Sequence, residues 1–276
     1  MDTSPIALAL VAPEGPPPRR WVMFLHGILG SGANWRGFAK HLLAACPGWG
    51  AALVDLRMHG ASQGLAPPHT LRAAAADLAS LELPGPLGAV VGHSFGGKVA
   101  LAYAASPPPA LERVWVLDAS PSARPDGRGS EGTLRVLSFL ERVAFPLPSR
   151  QAFLDAVVGA GFALPLAQWL AMNLKAADGG FRLRVDLGAI RAMLDDYLGL
   201  DLWPVLESPP GRVNFHLVLG GRSNVFSPDD VARAEALRAR GRVELSVLAE
   251  AGHWVHVDDP EGLFHVIAPG LGRAPE

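Results

Sequence analysis

Apolar residues cluster in short runs along the chain: Trp21–Leu25, Ala51–Val54, Leu87–Val91, Val114–Leu117, Val213–Leu219 and Val243–Leu248. Each run ends in a loop of Gly, Asp or His. Within a run the apolar residues are continuous, not alternating, as in strands covered on both faces of a parallel sheet. Between the runs, apolar positions recur at helical spacing in Trp35–Ala45, Leu71–Leu81, Phe95–Ala105 and Asp229–Arg240, and a further helix is expected to begin near Asp259. Strand and helix in alternation predict right-handed βαβ units and a doubly wound α/β sheet.

The alternation breaks between Pro121 and Gly211. Leu134, Leu137, Phe139, Leu140 and Val143 have helical spacing, as do Phe153, Leu154, Val157 and Val158. Leu166, Trp169, Leu170 and Leu174 continue the pattern, followed by Ile190, Met193, Leu194 and Tyr197. About 90 residues between two core strands are too many for a loop. A helical cap, or lid, is therefore expected over residues 121–211, inserted between strands 6 and 7 of a core made of residues 1–120 and 212–276. The plain alternative is a set of extra core helices on one face.

The 276 residues, 49% of them hydrophobic and 18% charged, can bury a core without covalent staples and exclude a disordered chain. The single cysteine, Cys46, allows no intramolecular disulfide and no cysteine metal cluster. A net charge of −2 leaves no nucleic-acid footprint. Only Asp2 is charged ahead of the short apolar run Ile6–Val11, so no secretion signal is read there. No apolar stretch reaches the roughly 18 residues of a membrane span. A cytoplasmic protein is the expectation, and nothing in the sequence bears on oligomeric state.

The strongest chemical signal is Gly92-His93-Ser94-Phe95-Gly96, directly after the run Leu87–Val91 and at the head of a helical pattern. A serine on such a tight strand-to-helix turn has its hydroxyl pushed outward, and the new helix aims N–H groups at it. Gly92 to Lys98 also fits most of a P-loop, but Val99 stands where Ser or Thr would hold Mg²⁺. A nucleophilic serine needs a base, an acid to orient that base, and an oxyanion hole. His253, after the last run, is the candidate base. Phe95 and Ile28 are the candidate oxyanion donors, Ile28 lying in the loop His26-Gly27-Ile28-Leu29-Gly30. His26, Gly27 and Leu29, with His93 and Trp254 beside the nucleophile and base, are expected to contact substrate. His256 is read as structural, since H-x-x-H with His253 has no third metal ligand nearby.

The acid has several candidates. The loop Gly221-Arg222-Ser223-Asn224-Val225-Phe226-Ser227-Pro228 presents Asn224 where G-x-x-D-x-x-x-P would have its aspartate. Asp118, ending the run Val114–Leu117, is favoured as the substitute, with Asp229 and Asp230 as rivals better placed to cap a helix.

With these motifs the sequence resembles the α/β-hydrolase fold serine esterases, and among them the bacterial YbfF-type esterases and their mitochondrial relatives. The resemblance rests on HGILGS (His26–Ser31), DLRMHGAS (Asp55–Ser62), GHSFGGK (Gly92–Lys98), Asp118–Pro121, LGGRS (Leu219–Ser223), GFRLRVDL (Gly180–Leu187) and GHWVH (Gly252–His256). It implies a mostly parallel eight-stranded sheet with flanking helices and a helical cap, carboxylic ester hydrolysis, no cofactor and no metal. It also implies an acid after the sixth strand, at Asp118. Asp55, Arg57, His59 and Ser62 are expected to brace the oxyanion loop, and Lys98 to be a structural residue snorkelling to solvent.

The expected function is hydrolysis of a carboxylic ester or thioester through an acyl-enzyme on Ser94, with His253 and Asp118. Phe139, Phe145, Phe153, Phe162, Trp169 and Met172 in the inserted segment favour a small-molecule ester with an apolar group, unless they only pack that segment's own core. Rival readings are C–C bond hydrolysis or acyl transfer on the same residues, and a non-catalytic ligand-binding module.

Overall fold

The computed structural model describes residues 6–272. The chain opens with strand β1 (Leu8–Val11) and β2 (Arg20–Leu25), then a 3-10 turn (Gly32–Trp35), helix α1 (Arg36–Ala45), β3 (Trp49–Val54) and α2 (Leu71–Ala79). β4 (Leu87–His93), α3 (Phe95–Ala104) and β5 (Arg113–Leu117) follow. The next stretch holds α4 (Glu131–Leu140), α5 (Arg150–Gly159), α6 (Leu164–Ala171), β6 (Leu174–Ala177), β7 (Gly180–Leu183), α7 (Leu187–Gly199) and α8 (Trp203–Glu207). The chain then returns to the core with β8 (Asn214–Gly220), α9 (Pro228–Ala239), β9 (Val243–Leu248), α10 (Val255–Asp258) and α11 (Pro260–Leu271).

The main sheet has the order β1-β3-β2-β4-β5-β8-β9. Only β1 runs antiparallel, along the β3 edge; the other neighbours are parallel. The continuous apolar runs are explained by cover on both faces. Leu78 of α2, Val99 and Leu101 of α3, and Leu237 of α9 pack in one layer, and Phe38 and Leu42 of α1 with Leu263 and Ile267 of α11 in the other. The described residues give this sheet seven strands, against the eight implied by the resemblance. A single apolar run precedes β2, and the Pro16–Pro18 turn separates the two, so one antiparallel strand occupies that edge. Residues 1–5 and 273–276, which the expected core also included, lie outside the described residues.

The segment between β5 and β8 is not wholly helical. Leu174, expected to continue a helix, begins β6, which pairs with β7 as an antiparallel hairpin. Asp178-Gly179-Gly180 sets that turn, with Gly179 at φ 80° and Gly180 at φ 136°, values glycine adopts without the Cβ clash. The register aligns His93 with Leu117 and Leu117 with Val218, so β4 and β5 end level and β8 runs on beside them to Gly220. Loops at that edge therefore converge, as ligand-binding loops do at the carboxyl ends of an open α/β sheet. Among the described residues no helix is long and apolar enough to cross a membrane.

Candidate active site

Ser94 sits between β4 and α3 at φ 54°, a left-handed conformation unusual for a side-chain-bearing residue. The turn is possible because two glycines let strand and helix touch. A Cβ on Gly92 would lie 2.2 Å from the Gly96 carbonyl oxygen, and one on Gly96 would lie 2.6 Å from the carbonyls of Leu25 and His26. The Ser94 hydroxyl thus projects from the sheet edge, and its proton points to His253 Nε2, 3.0 Å away.

His253 lies in the loop after β9, and its Nδ1–H donates to Asp118 Oδ2 at 2.7 Å. Asp118 follows β5 directly and is 1% exposed. Its carboxylate is fully engaged. Ser223 Oγ–H donates to Oδ2 at 2.6 Å, and the Gly220 N–H donates to Oδ1 at 3.1 Å. Gly220 ends β8 and Ser223 lies in the loop after it, whose own Asn224 lines the cavity over the serine. That loop supports the acid without supplying it. Asp229 is exposed, while Asp230 closes a capping box with Ser227 at the head of α9 and accepts hydrogen bonds from Ser120 and Ser122. Neither rival acid hydrogen-bonds His253. Nothing within LGGRS marks Ser223 for this role, which depends on a contact across 105 residues.

The oxyanion loop is a tight turn closed by Gly30 N–H to the Gly27 carbonyl at 3.0 Å, with Leu29 at φ 62°. The Phe95 N–H is the first of α3 and has no intrahelical acceptor. The D-x-R-x-H-G-x-S segment holds this loop from behind. His59 Nε2 accepts the Leu29 N–H at 3.0 Å, and Asp55 Oδ1 accepts the Gly32 N–H at 2.8 Å. Ser62 Oγ–H donates to the Asp55 carbonyl. Arg57 does not join them; it pairs with Asp77 of α2 and the Pro68 carbonyl. Asn173 Nδ2 donates to the Leu29 carbonyl at 2.8 Å and ties the inserted segment to the same loop.

The histidines around the site are buried and held neutral. Burial lowers His26 to about 4, His59 to about 3 and His256 to about 4. Burial, with His256 and His253 nearby, pushes His93 well below the usual range. His26 Nε2 accepts the Leu56 N–H while Nδ1–H donates to the Gly27 carbonyl, so one ring fixes two chain segments. His26, expected to contact substrate, is not among the residues lining the cavity over Ser94, and both its ring nitrogens are taken by backbone. His93 Nε2–H donates to the His253 carbonyl at 2.7 Å. His256 packs its ring against Trp35 at 4.5 Å, and no group of three metal-ligating side chains occurs among the described residues. Lys98 does not snorkel. It is 0% exposed, and its Nζ donates to the carbonyls of Ser122, Tyr197 and Leu200 at 2.7–2.8 Å.

A cavity of about 490 Å³ opens onto Ser94 and His253. Gly27, Ile28, Leu29, His93, Phe95 and Trp254 line its floor. The inserted segment supplies Val136, Phe162, Leu166, Trp169, Leu194 and Tyr197 to its walls. Of the aromatics expected there, Phe139 packs on Phe162 and Phe145 on Phe153 inside the segment. Met172 is 53% exposed and lies beside a second groove.

A family model described as alpha/beta hydrolase fold matches residues 20–205. The chain is 30% identical to the mouse sn-1-specific diacylglycerol lipase ABHD11 over 98% of its own length and 87% of that protein's. It is 26% identical to a 2-succinyl-6-hydroxy-2,4-cyclohexadiene-1-carboxylate synthase from Serratia proteamaculans, covering 91% and 92% of the two chains. Among solved structures it is similar to a Mycobacterium tuberculosis esterase, with a TM-score of 0.73 and 26% identity over 98% and 90%. A marine microorganism esterase matches in fold with a TM-score of 0.76 and 21% identity over 96% and 98%.

Proposed function

The chain belongs to the α/β-hydrolase fold family and is a carboxylic ester hydrolase, and we propose that Ser94, His253 and Asp118 carry its reaction. The observation that carries this assignment is the unbroken line Ser94 Oγ, His253 Nε2, His253 Nδ1, Asp118 Oδ2, opening into a cavity with mostly apolar walls.

Ser94 Oγ attacks the acyl carbon as His253 Nε2 takes its proton. Asp118, fixed by Ser223 and Gly220, keeps the proton on Nδ1 and stabilises the imidazolium. The N–H groups of Phe95 and Ile28 stabilise the oxyanion. His253 then protonates the leaving alcohol, and a water activated by the same histidine releases the acid. His93 is a positioning residue, since it holds the His253 main chain. Gly27, Leu29 and Trp254 form the floor against which the acyl group lies.

Residues 121–211 act as a cap in this reading, because their side chains wall the cavity above Ser94. Phe162, Leu166 and Trp169 favour a small-molecule ester with an apolar group, consistent with the lipase name of the mouse relative. The YbfF-type affinity, on Asp55–Ser62, and a cytoplasmic setting go with this proposal.

A fluorophosphonate probe tests the assignment. Wild-type protein is expected to be labelled at Ser94 and to hydrolyse a series of p-nitrophenyl acyl esters. Labelling that persists in Ser94→Ala, or occurs at another residue, removes Ser94 from the role.

A further inference from the structure

Tyr197 of α7 is 4% exposed and lines the cavity beside Ser94. Its ring lies 6.1 Å from that of Phe95, the residue after the nucleophile. Arg124, itself 3% exposed, donates from Nη2 to the Tyr197 oxygen at 3.0 Å and from Nη1 to the Val225 carbonyl at 3.0 Å. Lys98 Nζ sits 4.7 Å from the ring centroid and donates to the Tyr197 carbonyl. Ring, oxygen and main chain are therefore all fixed by two buried basic side chains, Arg124 and Lys98. That is more restraint than a wall residue needs.

The direction of the remaining hydrogen bond follows. A phenol has one proton to give. Since Arg124 can only donate, the Tyr197 oxygen is its acceptor and the O–H proton is left for the cavity. Ser94 lines the same cavity, and burial keeps the phenol protonated by raising its pKa. Through Arg124, Tyr197 stands with the loop after β8, the loop that supports Asp118. Ser223 of that loop shares the Asp118 oxygen that His253 Nδ1 meets, which puts Tyr197 and the general base on one chain of contacts. A substrate whose carbonyl oxygen faces the Ile28 and Phe95 N–H groups has its alcohol-side oxygen left to meet a donor on another wall.

Resting on the ester-hydrolase reading above, we propose that the Tyr197 phenol donates a hydrogen bond to the alcohol-side oxygen of the scissile ester, so that the site favours unactivated alkyl oxygen esters over thioesters. The phenol transfers no proton. As the C–O bond breaks, His253 delivers the proton to the departing oxygen, and Tyr197 stabilises the negative charge gathering there. Sulfur is a weak acceptor and gains little from the same donor. A p-nitrophenolate leaving group delocalises its charge and needs little help.

The test compares wild type with Tyr197→Phe, which keeps the ring and removes only the hydroxyl. Three substrates share one acyl chain: an alkyl ester, the matching alkyl thioester and the p-nitrophenyl ester. The variant is expected to lose about 10-fold in kcat/KM on the alkyl ester. It should stay within about threefold on the other two. Fluorophosphonate labelling of the same samples reports on Ser94 separately. Retained labelling with equal losses on all three substrates, or with no loss on any, overturns the role of Tyr197 alone. Wild-type protein that takes no label and turns over none of the three overturns the ester-hydrolase reading and this inference with it. If Tyr197→Phe fails to fold, the wild-type ratio decides: a thioester cleaved faster than its matched alkyl ester, relative to their uncatalysed rates, overturns the preference, and a slower one supports it.

Discussion

His253 Nδ1 lies 2.7 Å from Asp118 Oδ2, at the end of β5, while the loop after β8 presents Asn224 to the cavity and sends Ser223 to the same carboxylate oxygen. The strand order makes this exchange possible. β5 and β8 are hydrogen-bonded neighbours, with Leu117 opposite Val218, so the loops that follow them arrive side by side. A carboxylate moved from one loop to the other can still meet the same imidazole.

Asp118→Asn is expected to lower kcat by roughly 10²–10⁴ with little change in thermal midpoint, because an amide holds the wrong tautomer and cannot stabilise the imidazolium. Asp229→Asn should leave turnover unaltered. Asp230→Asn should keep kcat but lose about 1 kcal/mol of stability, since it loosens the α9 cap. Steady-state kinetics on the three purified variants distinguish them; an inactive Asp229 variant beside an active Asp118 variant would reverse the assignment.

Ser94→Ala should lower ester hydrolysis by several orders of magnitude without unfolding the protein, since a nucleophile, its base and its acid act as a unit. The strained φ of 54° also makes alanine no worse than serine for the fold. Activity above a few per cent in the variant, freed of wild-type contamination, would place the nucleophile elsewhere.

The strands and the elbow were legible because each is a local pattern: a continuous apolar run, then Gly92 and Gly96 spaced around Ser94. Asp118 stood out as a charge ending an apolar run, and the resemblance favoured it over its rivals. The β6–β7 hairpin was not, because Leu174 continues a helical spacing and only the glycine pair after Asp178 breaks it. Lys98 was misread because its burial depends on carbonyls of Ser122, Tyr197 and Leu200, and no spacing within α3 reports those. Tyr197 and Arg124 were hidden in the same way: their meaning is a contact across 73 residues.

Stability should fall steeply under mild acid. His26, His59 and His256 are lowered to about 4, 3 and 4 in the fold, while the unfolded chain protonates them near 6.5. Between these values the unfolded state binds more protons, so stability rises with pH and is lost as pH falls from about 6.5 toward 4. Each histidine contributes up to about 1.4 kcal/mol per pH unit in that window. Urea unfolding at pH 7 and pH 5 measures it, and equal midpoints at the two values would contradict the buried, neutral state of these rings.

Lys98 is the last residue whose removal the structure makes readable. It lies one helical turn beyond Ser94 on α3, and three main-chain carbonyls converge on its ammonium, matching its three donors one for one. Two of these carbonyls, those of Tyr197 and Leu200, end α7, so the contact pins a cavity wall to the nucleophile's helix. Lys98→Met fills most of the same volume but leaves those carbonyls buried without a donor. At about 1–3 kcal/mol for a stranded polar group, a loss of roughly 3–5 kcal/mol is expected. Lys98→Arg should fare no better, because a planar guanidinium cannot point at three carbonyls arranged for a compact ammonium. Chemical denaturation of both variants checks the energy, and KM on an apolar ester checks the wall: α7, released, should raise KM more than it lowers kcat. Variants as stable as wild type would show that the three carbonyls find other donors and that the pin is dispensable.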